Sequence, residues 1–191
     1  MVVGKLKYKM STPKLCLVVD IEATCWEKDT DGYFTDKQKN ESEIIEIGIT
    51  SISIPDKKIV ESESIIVLPT KSEISEYCTN LTTLTPKFVA EHGITFWNAI
   101  DILWFKYRAN RNMWASWGDF DKDIFQRQCQ NEGVRYPFNN NYLNVKAKFC
   151  WRFGFSCSLG KALGHMDIPF EGTAHRGVDD SLNIAKLLLE L

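Results

Sequence analysis

Residues 15–68 hold three strand-like runs in quick succession, and a chain that opens this way must begin by building a sheet. LCLVVD at 15–20 is a short apolar run ending in an acid, and IIEIGITSISI at 44–54 largely alternates apolar residues with others. KIVESESIIVL follows at about 58–68, and Pro55-Asp56 supplies a hairpin turn between the last two runs. Beyond this β-meander the pattern changes. Thr85-Pro86 places a capping hydroxyl before a proline at the first helical position, Gly93 can end that helix, and a longer helix is predicted over 95–109. NMWASW at 112–117 reads as a fourth strand feeding a helix over 119–132, closed by Gly133. YLNV at 142–145 reads as a fifth strand, with short helices at 146–153 and 158–165 and a final helix from about 176. The order predicts one α/β domain with a mixed five-stranded sheet flanked by helices.

A length of 191 residues with 44% hydrophobic content suits a single core. We divide the chain into an N-terminal extension, 1–13, and a domain, 14–191. The formal net charge of −2 excludes a broad surface that coats nucleic acid non-specifically, so any such contact is expected to be local. The six cysteines lie far apart and form no zinc-module spacing, which fits reduced thiols in a cytoplasmic protein. No apolar run is long enough to span a membrane, and GKLKYKMSTPK lacks the apolar stretch of a signal peptide. The charged stretch 27–42 is the one long irregular connection, of the kind that borders binding clefts.

Several acids stand where the surrounding pattern does not call for them. Asp20 and Glu22 follow an apolar strand, and alternation aims both at one face of the sheet. Such a pair repels itself unless a hard cation is held between oxygen ligands, although a lone D-x-E most often only opens a loop. In SWGDFDKDIF, helix capping would account for all three of Asp119, Asp121 and Asp123. Helical spacing separates them: Asp121 shares its face with Ile124 and Phe125, whereas Asp123 leads to Gln126 and Arg127, so Asp121 points inward. In the final helix Asp179, Asn183, Lys186 and Glu190 form a polar stripe expected to be solvated, while Asp180 continues the stripe of Ile184, Leu187 and Leu191. His175 lies just before this helix, where a plain hydrogen-bonding role competes with a catalytic one.

Taken together, DIEATC, WGDFD and HRGVDD resemble the ordered motifs of the DEDDh exonucleases, a superfamily with an RNase H-like fold. CTNLTTLT and the Thr24-Cys25-Trp26-Glu27 continuation are most similar to the branch that trims histone mRNA and small interfering RNA. The resemblance implies that Asp20, Glu22, Asp121 and Asp180 bind two Mg²⁺ or Mn²⁺ ions, with Asp119 as an alternative to Asp121, and that His175 is the general base. It also implies 3′-to-5′ hydrolysis of single-stranded RNA ends with release of nucleoside 5′-monophosphates. A terminal-nucleotide pocket would have its wall near Ala23, Thr24, Leu81 and Thr82. Trp26 and Phe149 are candidates to stack a base, against the alternative of core packing. Lys146, Lys148 and Arg152 form a basic cluster that either follows phosphates or lies on a solvated helix face. Two other readings stay open: the same chemistry on single-stranded DNA, since only a 2′-hydroxyl contact separates the two, and a catalytically silent nucleic-acid or protein-binding module.

Overall fold

Residues 14–28, 30 and 40–191 are described by the structure, a computed structural model. The proposed extension 1–13 and most of the 27–42 connection lie outside the described residues. Strand β1 (Leu15–Ala23) occupies the middle of a five-stranded sheet. β2 (Ile44–Ser53) and β3 (Lys58–Ile66) lie on one side of it, and β4 (Met113–Ser116) and β5 (Tyr142–Asn144) on the other, in the order β3-β2-β1-β4-β5. The three opening strands form the antiparallel meander, with the Ser53 hydroxyl donating to Asp56 at 2.6 Å across the expected turn. β4 and β5 add parallel to β1 and to each other, so the sheet is mixed.

Seven helices stand among the described residues: α1 (Glu76–Thr82), α2 (Pro86–His92), α3 (Phe96–Phe105), α4 (Phe120–Glu132), α5 (Val145–Phe153), α6 (Leu159–His165) and α7 (Gly177–Glu190). Strand alternation decides which helices meet which face. Leu17, Val19 and Ile21 pack against α3 and α4 through Phe96, Leu103, Ile124 and Phe125. Cys16 and Val18 face the opposite layer of α5, α6 and α7, built from Val145, Phe149, Leu163, Ile184 and Leu187. Asp20 and Glu22 belong to this second register. A third cluster seats α1 and α2 over Ile45 and Ile66 through Cys78, Leu84 and Val89.

The departures from expectation have local causes. β1 runs three residues beyond the apolar run because Ile21, Glu22 and Ala23 still pair with β2. Helix α3 stops at Phe105 instead of 109: Arg108 takes a φ of +49°, and the Ala109 amide turns back to the Leu103 carbonyl at 2.9 Å. Helix α1 had no assignment from the sequence; Ser75 caps it by accepting from the Cys78 amide at 3.0 Å. The polar stripe of α7 is not solvated. Asn183 is fully buried, joined to the Glu171 backbone by bonds of 2.8 and 3.0 Å, and Lys186 pairs with Glu171 at 2.6 Å. Asp179 accepts from the Thr173 amide at 2.8 Å. The stripe is covered by the segment that leads into His175, and only Glu190 of the four is exposed.

Candidate active site

β4 ends at Ser116, and its pairing with β1 stops at Val18–Ala115, so among the described residues the last part of β1 has no strand partner on that side. The first turn of α4 fills the gap: the Asp121 carboxylate accepts from the Ile21 amide at 3.0 Å. That bond satisfies a strand amide that would otherwise be orphaned and places Asp121, only 4% exposed, beside Asp20 and Glu22. Asp119 is exposed and accepts from Asn144 at 3.0 Å, which separates it from the cluster. From the other layer, Asp180 in the first turn of α7 accepts from the His175 amide at 2.9 Å. A ring nitrogen of His175 and carboxylate oxygens of Glu22 and Asp180 all lie within 4.8 Å of one another.

The carboxyls of this cluster oppose one another's ionisation. Burial, and then the charges of Asp121, Asp180, Glu22 and Glu46, raise the Asp20 carboxyl well above the usual range. Burial, followed by Asp180 and Glu46, pushes Glu22 up to about 9. Asp121 rises to about 7 through burial despite the opposing bond from Ile21, and Asp180 to about 6, again chiefly through burial. Four carboxyls are thus held together in a geometry that their own charges oppose.

Two cavities meet at this point and share Ile21, Glu22, Phe120 and His175 as walls. The larger, about 670 Å³, is mostly apolar and is lined by Ala23, Thr24, Cys25 and Leu81 together with Ile124 and Arg127. The second, about 530 Å³, contains Asp20, Asp121 and Asp180 and is bordered by Lys146, Trp117, Phe170 and Gly160. Of the residues proposed for the nucleotide pocket, Ala23, Thr24 and Leu81 line the larger cavity. Thr82 does not: it is fully buried, its hydroxyl donating to the Cys78 carbonyl at 2.8 Å and accepting from the Leu84 amide at 3.2 Å. Phe149 is also a correction, because it is fully buried between Trp117, Phe153 and Phe155 and has no face open to a base. Trp26 is partly buried and lines neither cavity. The basic cluster divides: Lys146 borders the acids, while Arg152 donates to the Glu190 and Leu191 carbonyls at the far end of α7.

Three residues went unnoticed in the sequence. Phe120 is 56% exposed at the wall common to both cavities. An aromatic flanked by Asp119 and Asp121 at a helix start was the available signal. Glu43 accepts from the amides of Thr70, Lys71 and Ser72 at 2.6–2.8 Å and ties that loop to the cavity wall, since its own amide donates to Thr24 Oγ1 at 2.9 Å. Burial alone would raise Glu43, but the bonds from Thr70, Ser72 and Lys71 together bring it below its ordinary value. Glu46 is fully buried in β2, and an acid in the middle of the IIEIG run was itself the anomaly.

Comparison with known proteins identifies the family and the fold. The exonuclease family model RNase_T matches residues 17–188. The chain is 30% identical to the 3′-5′ exonuclease Snipper of Drosophila melanogaster, over 92% of this chain and 68% of that protein. It is 26% identical to human 3′-5′ exoribonuclease 1 over 91% of this chain, and spans about half (51%) of that relative's length. Among solved structures, the nuclease domain of 3′hExo, a DEDDh family member bound to rAMP, superposes with a TM-score of 0.79 at 23% identity, covering 94% of this chain and 92% of that one. This last likeness establishes the RNase H-like exonuclease fold.

Proposed function

Because the chain belongs to the exonuclease family, we propose that it is a metal-dependent 3′-to-5′ exonuclease that shortens single-stranded RNA ends and releases nucleoside 5′-monophosphates. The observation that carries this reading is the meeting of Asp20, Glu22, Asp121 and Asp180 with His175 at the open end of β1, beside a cavity of about 670 Å³. The donor set fits divalent cations. All four groups offer carboxylate oxygens, the ligand type that hard divalent cations take, and a bound cation would offset the repulsion among them. We take the ions to be two Mg²⁺ or Mn²⁺ held by these acids, which supply a lowered water pKa and charge stabilisation at the leaving 3′ oxygen.

The protein's own groups do the rest. His175 is exposed and lies next to Glu22 and Asp180, where its ring can take the proton of the attacking water. Ala23, Thr24 and Leu81 enclose the terminal nucleotide in the larger cavity, and Phe120 stacks against its base or the one before it. Lys146, on the far side of the acids, pairs with a backbone phosphate. RNA is favoured because the human relative is an exoribonuclease and the 3′hExo domain binds rAMP. The six unpaired thiols support a reducing compartment, which we take to be the cytoplasm.

The substrate assignment is tested with RNA and DNA oligonucleotides of one sequence, labelled at the 5′ end. Loss of a single 2′-hydroxyl contact should slow DNA shortening by about tenfold. Equal or faster loss of the DNA would move the proposed substrate to DNA and leave the reaction class intact.

A further inference from the structure

Glu46 is a fully buried carboxylate in a strand buried along its whole length, and it lies directly opposite Glu22 in the β1–β2 register. Its oxygens are already engaged. Oε1 accepts from the Ser64 hydroxyl at 2.6 Å and Arg176 Nη2 at 3.3 Å, and Oε2 from Arg176 Nε at 3.1 Å and the Gly177 amide at 2.9 Å. Four donors exhaust what one carboxylate can accept, so Glu46 is not a fifth cation ligand. A buried ion pair is also weak evidence of a stabilising role, because desolvation offsets most of the attraction.

What Glu46 holds is the chain on either side of the Arg176–Gly177 peptide. His175 adopts a φ of +62°, a left-handed conformation that a residue with a side chain keeps only when its flanks are fixed. Upstream, the Arg176 amide donates to the Thr173 carbonyl at 3.2 Å, and downstream the Asp180 amide donates to the Arg176 carbonyl at 2.9 Å. Gly177 rests on β2 without slack: a Cβ on Gly48 would lie 1.9 Å from the Gly177 carbonyl carbon.

We propose that Glu46 and Arg176 are a positioning pair for the reaction: by clamping Arg176 and Gly177 to β2, Glu46 holds the His175 ring and the Asp180 carboxylate in register with Asp20 and Glu22. The proposal rests on the reading of His175 as base and Asp180 as ligand.

Its test is steady-state kinetics of the full chain on single-stranded RNA at varied Mg²⁺, for Glu46→Gln, Arg176→Met, their double variant, Arg176→Lys and His175→Ala. In Glu46→Gln and Arg176→Met, kcat should fall about 30- to 100-fold while KM for RNA moves less than about threefold, any rise in half-saturating Mg²⁺ from the loosened Asp180 should be shared equally by the two variants, and the double variant should be within about threefold of the worse single. Arg176→Lys keeps the charge but loses the fork, and should lose about tenfold in kcat. Unchanged kcat in Glu46→Gln or Arg176→Lys overturns the proposal. So does a rise in Mg²⁺ requirement confined to Glu46→Gln, which would make Glu46 a ligand. If Glu46→Gln does not fold, Arg176→Lys decides by the same criterion. An active His175→Ala would remove the underlying reading of the base; an inactive His175→Ala beside a normal Glu46→Gln would remove only the positioning pair.

Discussion

A carboxyl buried among other carboxyls responds to pH in the opposite sense from one in a salt bridge. Asp180, Asp121 and Glu22 have folded-state values of about 6, 7 and 9, against ordinary values of 3.8 for Asp and 4.5 for Glu. Between those limits the folded protein binds more protons than the unfolded chain, so stability from this source is full below the ordinary values and is lost as pH rises through the folded ones. Melting in EDTA should therefore fall from about pH 6 to pH 9, and Mg²⁺ should flatten the fall. A pH-independent melting temperature in EDTA would contradict the cluster's electrostatics. For the same reason Asp20→Asn should abolish activity, by about 10³-fold or more, without lowering the melting temperature in EDTA. Phe120→Ala should raise KM for RNA by about 5- to 100-fold with little change in kcat, because it removes a stacking face and no reacting group; an unchanged KM would exclude the stacking role. Of these residues, Asp121 and Asp180 were legible in the sequence because each shares a helical stripe with apolar neighbours. Phe149 misled because a helix-borne aromatic near basic residues reads the same whether its ring faces solvent or core.

At the scale of elements, the site depends on where strands stop and how closely a helix sits on the sheet. β4 is short, and that brevity opens the edge of β1 to Asp121. The seat of α7 on β2 is made by Gly48 and Gly177, and Gly48→Ala would drive a Cβ to within 1.9 Å of backbone. Backbone cannot turn aside as a side-chain tip does, so this change should destabilise by about 3 kcal/mol or more and reduce activity in the remaining folded protein; urea unfolding measures it, and a loss under about 1 kcal/mol would contradict the close approach. Periodicity revealed the five strands and most of the helices. It missed α1, a seven-residue helix whose sequence is polar and threonine-rich and whose stability comes from the Ser75 cap and from Cys78 against Leu84 and Val89. It also misjudged Asn183, because a polar stripe looks solvated until another segment covers it, and residues 171–173 do so by hydrogen bonding to it and to Asp179.

For the whole molecule, the net charge of −2 and the single lysine that borders the acids among the described residues imply that recognition is concentrated at the strand's end. With about one or two phosphates neutralised, log KM should rise with log salt at a slope of only about 0.7–1.4, whereas a slope of several would reveal a basic path outside the site. The mixed sheet with acids at one end followed from the order of elements together with the motif resemblance; the two adjoining cavities did not, since their walls come from β1, α1, α4, α5, α6 and α7 and depend on packing. The central claim is that the four acids and His175 form a metal-dependent centre acting at a 3′ end. It is tested most directly by a time course on 5′-labelled single-stranded RNA with Mg²⁺, with EDTA and with the Asp121→Asn protein, following both the ladder and the released product. The account predicts a ladder shortening from the 3′ end and nucleoside 5′-monophosphates with Mg²⁺, and none in EDTA or with the variant. Equal shortening in EDTA, or by Asp121→Asn, would contradict it.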